Sequence, residues 1–238
     1  FEYDIACCVY THGVSVPPRL RELAETNRVA ILSTPLDSAD FIRKIHPLLD
    51  EWFAPSQSLH GVLMEVFGVG ALIIGKTSIG KSECALELIE RGPRLVADDL
   101  VEIRRLAGRI LVGRGPERIP PHHMEIRGLG IINVSMLFGV GAIRDKKQVQ
   151  MVIQLEPWDP GKEYERTGLE EQEYDLLGIR MPLIVIPISP VRNVPVVIET
   201  AAMNYRLKKL GFHAAREFDG RLKEIMRNPE PPYGPENP

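Results

Sequence analysis

Read for the spacing of its apolar positions, the chain alternates short strands with amphipathic helices. Residues 5–10 and 29–33 are apolar runs of strand type, and between them Pro17-Pro18 opens a helix through Ala24. Residues 38–52 carry Phe41, Ile45, Leu48 and Leu49 at helical spacing, while Pro47 predicts a kink or a break. Residues 53–58 have linker character and set a domain boundary. Residues 1–54 then form a small α/β piece, 55–227 a main domain, and 228–238, rich in proline and glutamate, a disordered tail. In the main domain, 62–67 is a strand, Gly68-Val69-Gly70 a hairpin turn and 72–74 the next strand. Ala85, Leu88 and Ile89 make a helical stripe that stops at Gly92-Pro93, and a strand at 95–97 ends in Asp98-Asp99. Residues 100–104 and 109–112 predict an antiparallel pair, 139–143 a turn, and 148–155 a strand. Residues 162–175 are polar and read as a mobile connection; 183–186 and 196–198 read as short strands. A helix over 200–210, closed by Gly211, precedes a last helix with Phe218, Leu222, Ile225 and Met226 on one face. The predicted fold class is α/β with a mixed sheet and helices at the end of the chain.

One stretch within this pattern carries chemistry. Gly75, four residues, and Gly80-Lys81-Ser82 fit G-x-x-x-x-G-K-[ST], set between an apolar strand and a helix. The backbone of Gly75, Lys76, Thr77, Ser78, Ile79, Gly80, Lys81 and Ser82 can surround a phosphate chain at the C-terminal edge of the sheet. Lys81 would reach the outer phosphates and the Ser82 hydroxyl would face magnesium. Asp98-Asp99 could hold that ion or accept a proton from an incoming hydroxyl. Two carboxylates this close repel, which raises the pKa of one and suits it to proton exchange.

Glu125 and Arg127, two apart, can share one face of an extended segment, and Gly128 and Gly130 allow close backbone approach. The same residues also fit a tight turn with a surface ion pair. His122-His123 read as loop residues rather than metal ligands, because they point apart and no second cluster matches them. His12 and His46 read as solvated or structural. By pattern alone His60 is a surface histidine at a strand end.

Composition narrows the classes. The 238 residues are 44% hydrophobic and 26% charged, as in an ordinary soluble domain. A net charge of -3 gives no reason to expect nucleic acid or an anionic membrane as main partner. No apolar run approaches the roughly 20 residues that span a bilayer. Cys7, Cys8 and Cys84 make no disulfide framework and point to a reducing cytoplasm. The chain opens on Phe1 without signal-peptide architecture and is expected to be a portion of a longer protein.

His60-Gly61-Val62-Leu63, Gly80-Lys81-Ser82-Glu83, Arg94-Leu95-Val96-Ala97-Asp98-Asp99 and Glu125-Ile126-Arg127-Gly128-Leu129-Gly130-Ile131-Ile132 resemble, in order and spacing, the bacterial HPr kinase/phosphorylase family. The likeness covers 59–227, and Thr34-Pro35-Leu36 and Phe41-Ile42 resemble the end of the family's N-terminal domain. It implies a bifunctional enzyme of carbon catabolite regulation. Such an enzyme phosphorylates a serine of the phosphocarrier HPr with ATP or pyrophosphate, and reverses this with inorganic phosphate to release pyrophosphate. The likeness also implies a homo-hexamer and a catalytic core related to phosphoenolpyruvate carboxykinase.

Carried over by position, residues 75–82 bind the phosphates, Lys81 stabilises charge on the transferred group, and Ser82 with Glu125 holds Mg2+. One of Asp98 and Asp99, with Asp99 favoured, is the base that deprotonates the acceptor serine and the acid that reprotonates it in reverse. His60 becomes an active-site residue, and Arg166 matches an arginine assigned to catalysis.

The chain also departs from the family pattern. Lys76-Thr77-Ser78 stands where the family reads Asp-Ser-Gly. If position 78 needs positive φ, the serine costs about 1 kcal/mol there. Lys76 adds positive charge that bears on the choice between ATP and pyrophosphate. Ser189 and Val191 stand where a basic residue and a glycine are common, in the segment 187–192 tied to dephosphorylation, so the kinase direction is the firmer expectation. Two rivals are a small-molecule kinase or carboxykinase-like enzyme on the same core, and a nucleotide-binding regulatory module without catalysis. The acidic pair and Glu125 argue against the second, because binding alone has no use for a positioned base.

Overall fold

The computed structural model describes residues 3–165, 167–189 and 192–227, and the chain divides into two units, Phe1–Ala54 and Pro55–Pro238. In the first unit, β1 (Cys7–Tyr10) and β2 (Ala30–Ser33) pair in parallel through the crossover helix α1 (Pro18–Asn27). Proline is tolerated at the start of α1 because its missing N–H has no intrahelical partner there. Helix α2 (Ser38–Trp52) is capped by Asp37, whose carboxylate accepts the Asp40 N–H at 2.7 Å. The break expected at Pro47 is absent, and α2 continues across it. No residue of α2 is buried, so the carbonyl one turn before the proline can turn to water.

The second unit begins with β3 (Ser56–His60), β4 (Val62–Val66), β5 (Val69–Gly75) and α3 (Lys81–Glu90). It continues through β6 (Arg94–Ala97), β7 (Leu100–Leu106), β8 (Ile110–Arg114), the hairpin β9 (His123–Ile126) and β10 (Gly130–Asn133), and α4 (Val134–Phe138). After a 3-10 turn at Val140–Ala142 come β11 (Lys146–Gln148), β12 (Met151–Pro157), β13 (Gln172–Leu176), β14 (Ile179–Ile188), α5 (Val194–Lys209) and α6 (Ala214–Arg227).

The strands order as β13-β14-β12-β5-β4-β6 in one mixed sheet, with β12 parallel to both β5 and β14 and the other pairs antiparallel. A second, antiparallel sheet runs β11-β8-β7-β3. The expected antiparallel pair after Asp99 is β7 with β8.

Strands β4, β5 and β12 are almost continuously apolar because both of their faces are covered. Val62, Met64, Ala71, Ile73, Met151 and Ile153 share one core with Ala85 and Leu88 of α3 and Ile198 and Ala202 of α5. Their alternates Leu63, Leu72 and Val152 share another with Val101, Ile103 and Leu111 of the four-stranded sheet. The six-stranded sheet is therefore the middle of three layers. Gly70 lets β5 pass β11, since a Cβ there would lie 1.8 Å from the Gln148 carbonyl oxygen.

Three expectations along the last third are corrected. Gln172–Leu176 is strand β13, so part of the stretch read as a mobile connection is an ordered sheet edge. The run at 183–186 lies inside the ten-residue β14, which carries Pro182 and Pro187. Strand β13 pairs with β14 only over 179–183 and β12 only over 183–188, so each proline has a neighbour on one side alone. Residues 196–198 are helix rather than strand: Asn193 caps α5 by accepting the Val196 N–H at 3.1 Å, and Ile198 and Ala202 are packed into the core. Core packing overrides the strand preference of that β-branched run. The tail 228–238 lies outside the described residues.

Candidate active site

Strand β5 ends at Gly75, where φ is 152° and a Cβ would lie 2.6 Å from the Leu155 carbonyl oxygen. Only glycine lets the chain leave the sheet this close to β12. The loop re-enters helix at Gly80, with φ 97°, and α3 presents its N-terminal N–H groups and positive dipole end to the loop. Lys81 lies back over the loop, donating from Nζ to the Gly75 and Lys76 carbonyl oxygens at 3.1 Å each. Ile79 packs against the core. Cys84 is buried beneath, and burial, with the charge of Glu87, pushes its thiol up to about 12, which makes it inert.

The acidic pair divides at the end of β6. Asp98 is partly buried and accepts the Ser82 hydroxyl at 3.0 and 3.2 Å on its two oxygens. Burial raises its carboxyl above the ordinary value; hydrogen bonds from Ser82 and from the backbone N–H groups of Glu125 and Asp99 oppose this without reversing it. Asp99 turns the other way. Its φ is 65°, its carbonyl accepts the Gly61 N–H at 3.0 Å, and its carboxylate is 80% exposed, 3.5 Å from Nδ1 of His60. The register that pairs His60 with Leu100 places that histidine beside Asp99, and Gly61 must be glycine because a Cβ would lie 2.7 Å from the Ile73 carbonyl oxygen.

The β9–β10 hairpin completes the surroundings. Glu125 is exposed, and its carboxylate makes no hydrogen bond or ion pair among the described residues. Arg127 lies past the end of β9, in the turn with Gly128 at φ 87°, so it does not share a strand face with Glu125 as expected. Instead Arg127 Nη2 donates to the Ser78 hydroxyl, which bridges the hairpin to the phosphate loop. Ser78 itself has φ 69°, the conformation that a glycine would meet without strain. Among the described residues, His123 donates from Nδ1 to the Pro120 and Pro121 carbonyl oxygens of its own loop and accepts at Nε2 from the Asn133 side-chain amide. Arg166 lies outside the described residues.

Beside Lys76, a recess of about 510 Å³ is lined by Glu156, Trp158 and Lys162. Trp158 stacks on Tyr164 with centroids 5.0 Å apart, and Lys162 donates to Glu156 at 2.6 Å. These residues were invisible to motif reading. Their signal was the aromatic pair following the end of a strand parallel to β5.

The residues here that could hold magnesium are oxygen donors, namely the Ser82 hydroxyl and the carboxylates of Asp98 and Glu125. Among the described residues no three His, Cys, Asp or Glu side chains cluster as a cage. That sparse set fits magnesium, which usually keeps several waters and binds through one or two carboxylates plus substrate phosphates.

A loop built to cradle phosphate, with an exposed carboxylate where a hydroxyl can approach it, belongs to the class of phosphate-loop phosphotransferases. The family described as HPr Serine kinase C-terminal domain matches residues 51–222, and that described as HPr Serine kinase N terminus matches residues 1–49. The chain belongs to the HPr serine kinase family. It is 50% identical over 226 residues to the HPr kinase/phosphorylase of Treponema pallidum (strain Nichols), covering 95% of this chain and 71% of that one. Against that of Leptospira biflexa (strain Patoc 1 / Ames) the identity is 47% over 229 residues, with the same coverage. The solved Hpr(Ser) kinase/phosphatase of Coxiella burnetii superposes with a TM-score of 0.59 at 36% identity, over 68% of this chain and 98% of that one. The expected family and α/β fold are thereby borne out.

Proposed function

We propose that this enzyme phosphorylates a serine of HPr using ATP or pyrophosphate, and removes the phosphate with inorganic phosphate to release pyrophosphate, in carbon catabolite regulation. The observation that carries the reading is the division of labour in the acidic pair, with Asp98 turned in on Ser82 and Asp99 turned out beside His60. In the forward direction Asp99 takes the proton of the serine hydroxyl as its oxygen attacks the terminal phosphorus, and the bond to ADP or phosphate breaks. In reverse, an inorganic phosphate oxygen attacks the phosphoserine phosphorus, pyrophosphate forms, and Asp99 returns the proton to the departing serine oxygen.

His60 orients the Asp99 carboxylate. Lys81 leaves its two loop carbonyls to neutralise charge on the transferred group, and the loop 75–82 holds the remaining phosphates. Ser82 and Glu125 would hold magnesium, which supplies charge neutralisation at the phosphate oxygens. Arg166 adds a further cation by family likeness. The working form is a homo-hexamer in the cytoplasm that acts on HPr and needs neither nucleic acid nor membrane. No helix among the described residues is long and apolar enough to cross a membrane.

The test is phosphate transfer from labelled ATP and magnesium to purified HPr, followed by excess inorganic phosphate. Wild type should label HPr and Asp99→Asn should lose on the order of 10²–10⁴ of the rate. Label should leave HPr as pyrophosphate on adding phosphate. Transfer to metabolite hydroxyls with none to HPr would sink the reading.

A further inference from the structure

Within the loop 75–82, the positive-φ positions are Gly75, Ser78 and Gly80, and only the serine is strained by being there. Its hydroxyl accepts from Arg127 Nη2, across 49 residues of sequence. That bond uses one of the guanidinium's five N–H donors, and Arg127 has no carboxylate partner among the described residues, so the other donors are open to phosphate oxygens. The same hairpin is tied to the site a second time, through the Glu125 N–H on the Asp98 carboxylate that also receives Ser82. A side chain in an unfavourable backbone conformation thus anchors an uncompensated arginine beside a loop that binds phosphate.

We propose that Ser78 is a positioning residue that holds Arg127 at the loop, so that a pyrophosphate group, free or as the tail of a nucleotide, meets an arginine already ordered. The inference rests on the phosphate-loop reading above. A pre-ordered arginine spares the donor complex the ordering of one long side chain, which corresponds to roughly two- to tenfold in affinity. The effect acts through Arg127 and so disappears when Arg127 is gone.

Calorimetric titration of pyrophosphate with magnesium tests this on the whole chain as wild type, Ser78→Ala, Arg127→Gln and the double variant. Ser78→Ala should weaken binding by roughly two- to tenfold, Arg127→Gln by at least as much, and the double variant should be no weaker than Arg127→Gln alone. Ser78→Gly, which removes the hydroxyl and the backbone strain together, should melt above wild type yet bind as weakly as Ser78→Ala. A purely conformational role for Ser78 predicts instead that Ser78→Ala and Ser78→Gly bind like wild type, and that result would overturn the proposal, as would losses that multiply in the double variant. Failure of wild type to bind pyrophosphate would bring down the phosphate-loop reading and this inference with it.

Discussion

The left-handed backbone at Asp99 gives two adjacent aspartates opposite environments. Asp98 stays under the loop helix on Ser82, and Asp99 reaches solvent. The consequence can be measured through pH. Burial holds the Asp98 carboxyl above its ordinary value of 3.8, so ionising it costs folding stability. The stability kept by the protonated carboxyl is intact below pH 3.8 and is lost as pH rises through the higher folded value. Asp98→Asn removes the cost. The variant should therefore melt above wild type at pH 7, and the gap should close as pH falls toward about 3, while transfer to HPr is impaired throughout. A gap that stays constant across this range would show that burial of the charge is not what separates the two proteins. The sequence displays the two carboxylates and the repulsion between them. It does not display their division, which depends on a φ of 65° at Asp99 and on a Gly61 contact set from another strand. Ser78 is similar: the departure from glycine is legible, but its partner Arg127 is brought to it only by the tertiary fold.

At the scale of elements, Glu65 of β4 staples the two sheets. It lies 2.8 Å from Lys147 of β11, 3.1 Å from Arg144 and 3.8 Å from Arg94 of β6. Burial raises its carboxyl, but hydrogen bonds and charge from Lys147 and Arg144 outweigh burial and leave it below the ordinary range. The sign is opposite to that of Asp98. Stability from Glu65 is present above pH 4.5 and drains away as pH falls through the lower folded value. Glu65→Gln should destabilise by about 2 kcal/mol at neutral pH, less than for a fully buried pair because Arg94 and Arg144 keep much of their surface in water. The urea midpoint should fall with its slope unchanged, and the deficit should shrink below pH 4.5. A deficit that grows in acid would contradict the assignment. The strands in this region were legible because β4, β5 and β12 are apolar without alternation. What eluded pattern reading was decided by neighbours: α5 absorbs a β-branched run into its first turn, and β14 accommodates two prolines because its partners overlap at Leu183 alone.

For the whole molecule, the hexamer proposed above needs a surface on which subunits can meet. Leu129, Ile131, Met136, Leu137 and Val140 are each more than 60% exposed, all within the segment that leads from the β9–β10 turn through α4 to the 3-10 turn. Scattered apolar residues need no explanation, but five within twelve positions form an exposed apolar stretch that suits contact with another subunit of the proposed hexamer. The same hairpin carries Glu125 and Arg127, so covering its apolar tip would also restrain the residues that face the phosphate loop. Sedimentation equilibrium should therefore give six times the 26.7 kDa of one chain, about 160 kDa. Met136→Glu together with Val140→Glu should shift the protein to smaller species, because a charge buried without a partner in an interface is costly. The dissociated variant should keep its fold, since neither side chain is buried, yet lose transfer to HPr in proportion to its dissociation. A wild-type mass of one chain at every concentration would remove the hexamer. A dissociated variant with full activity would separate assembly from catalysis and leave the hairpin positioned by its own contacts to Ser78 and Asp98 alone.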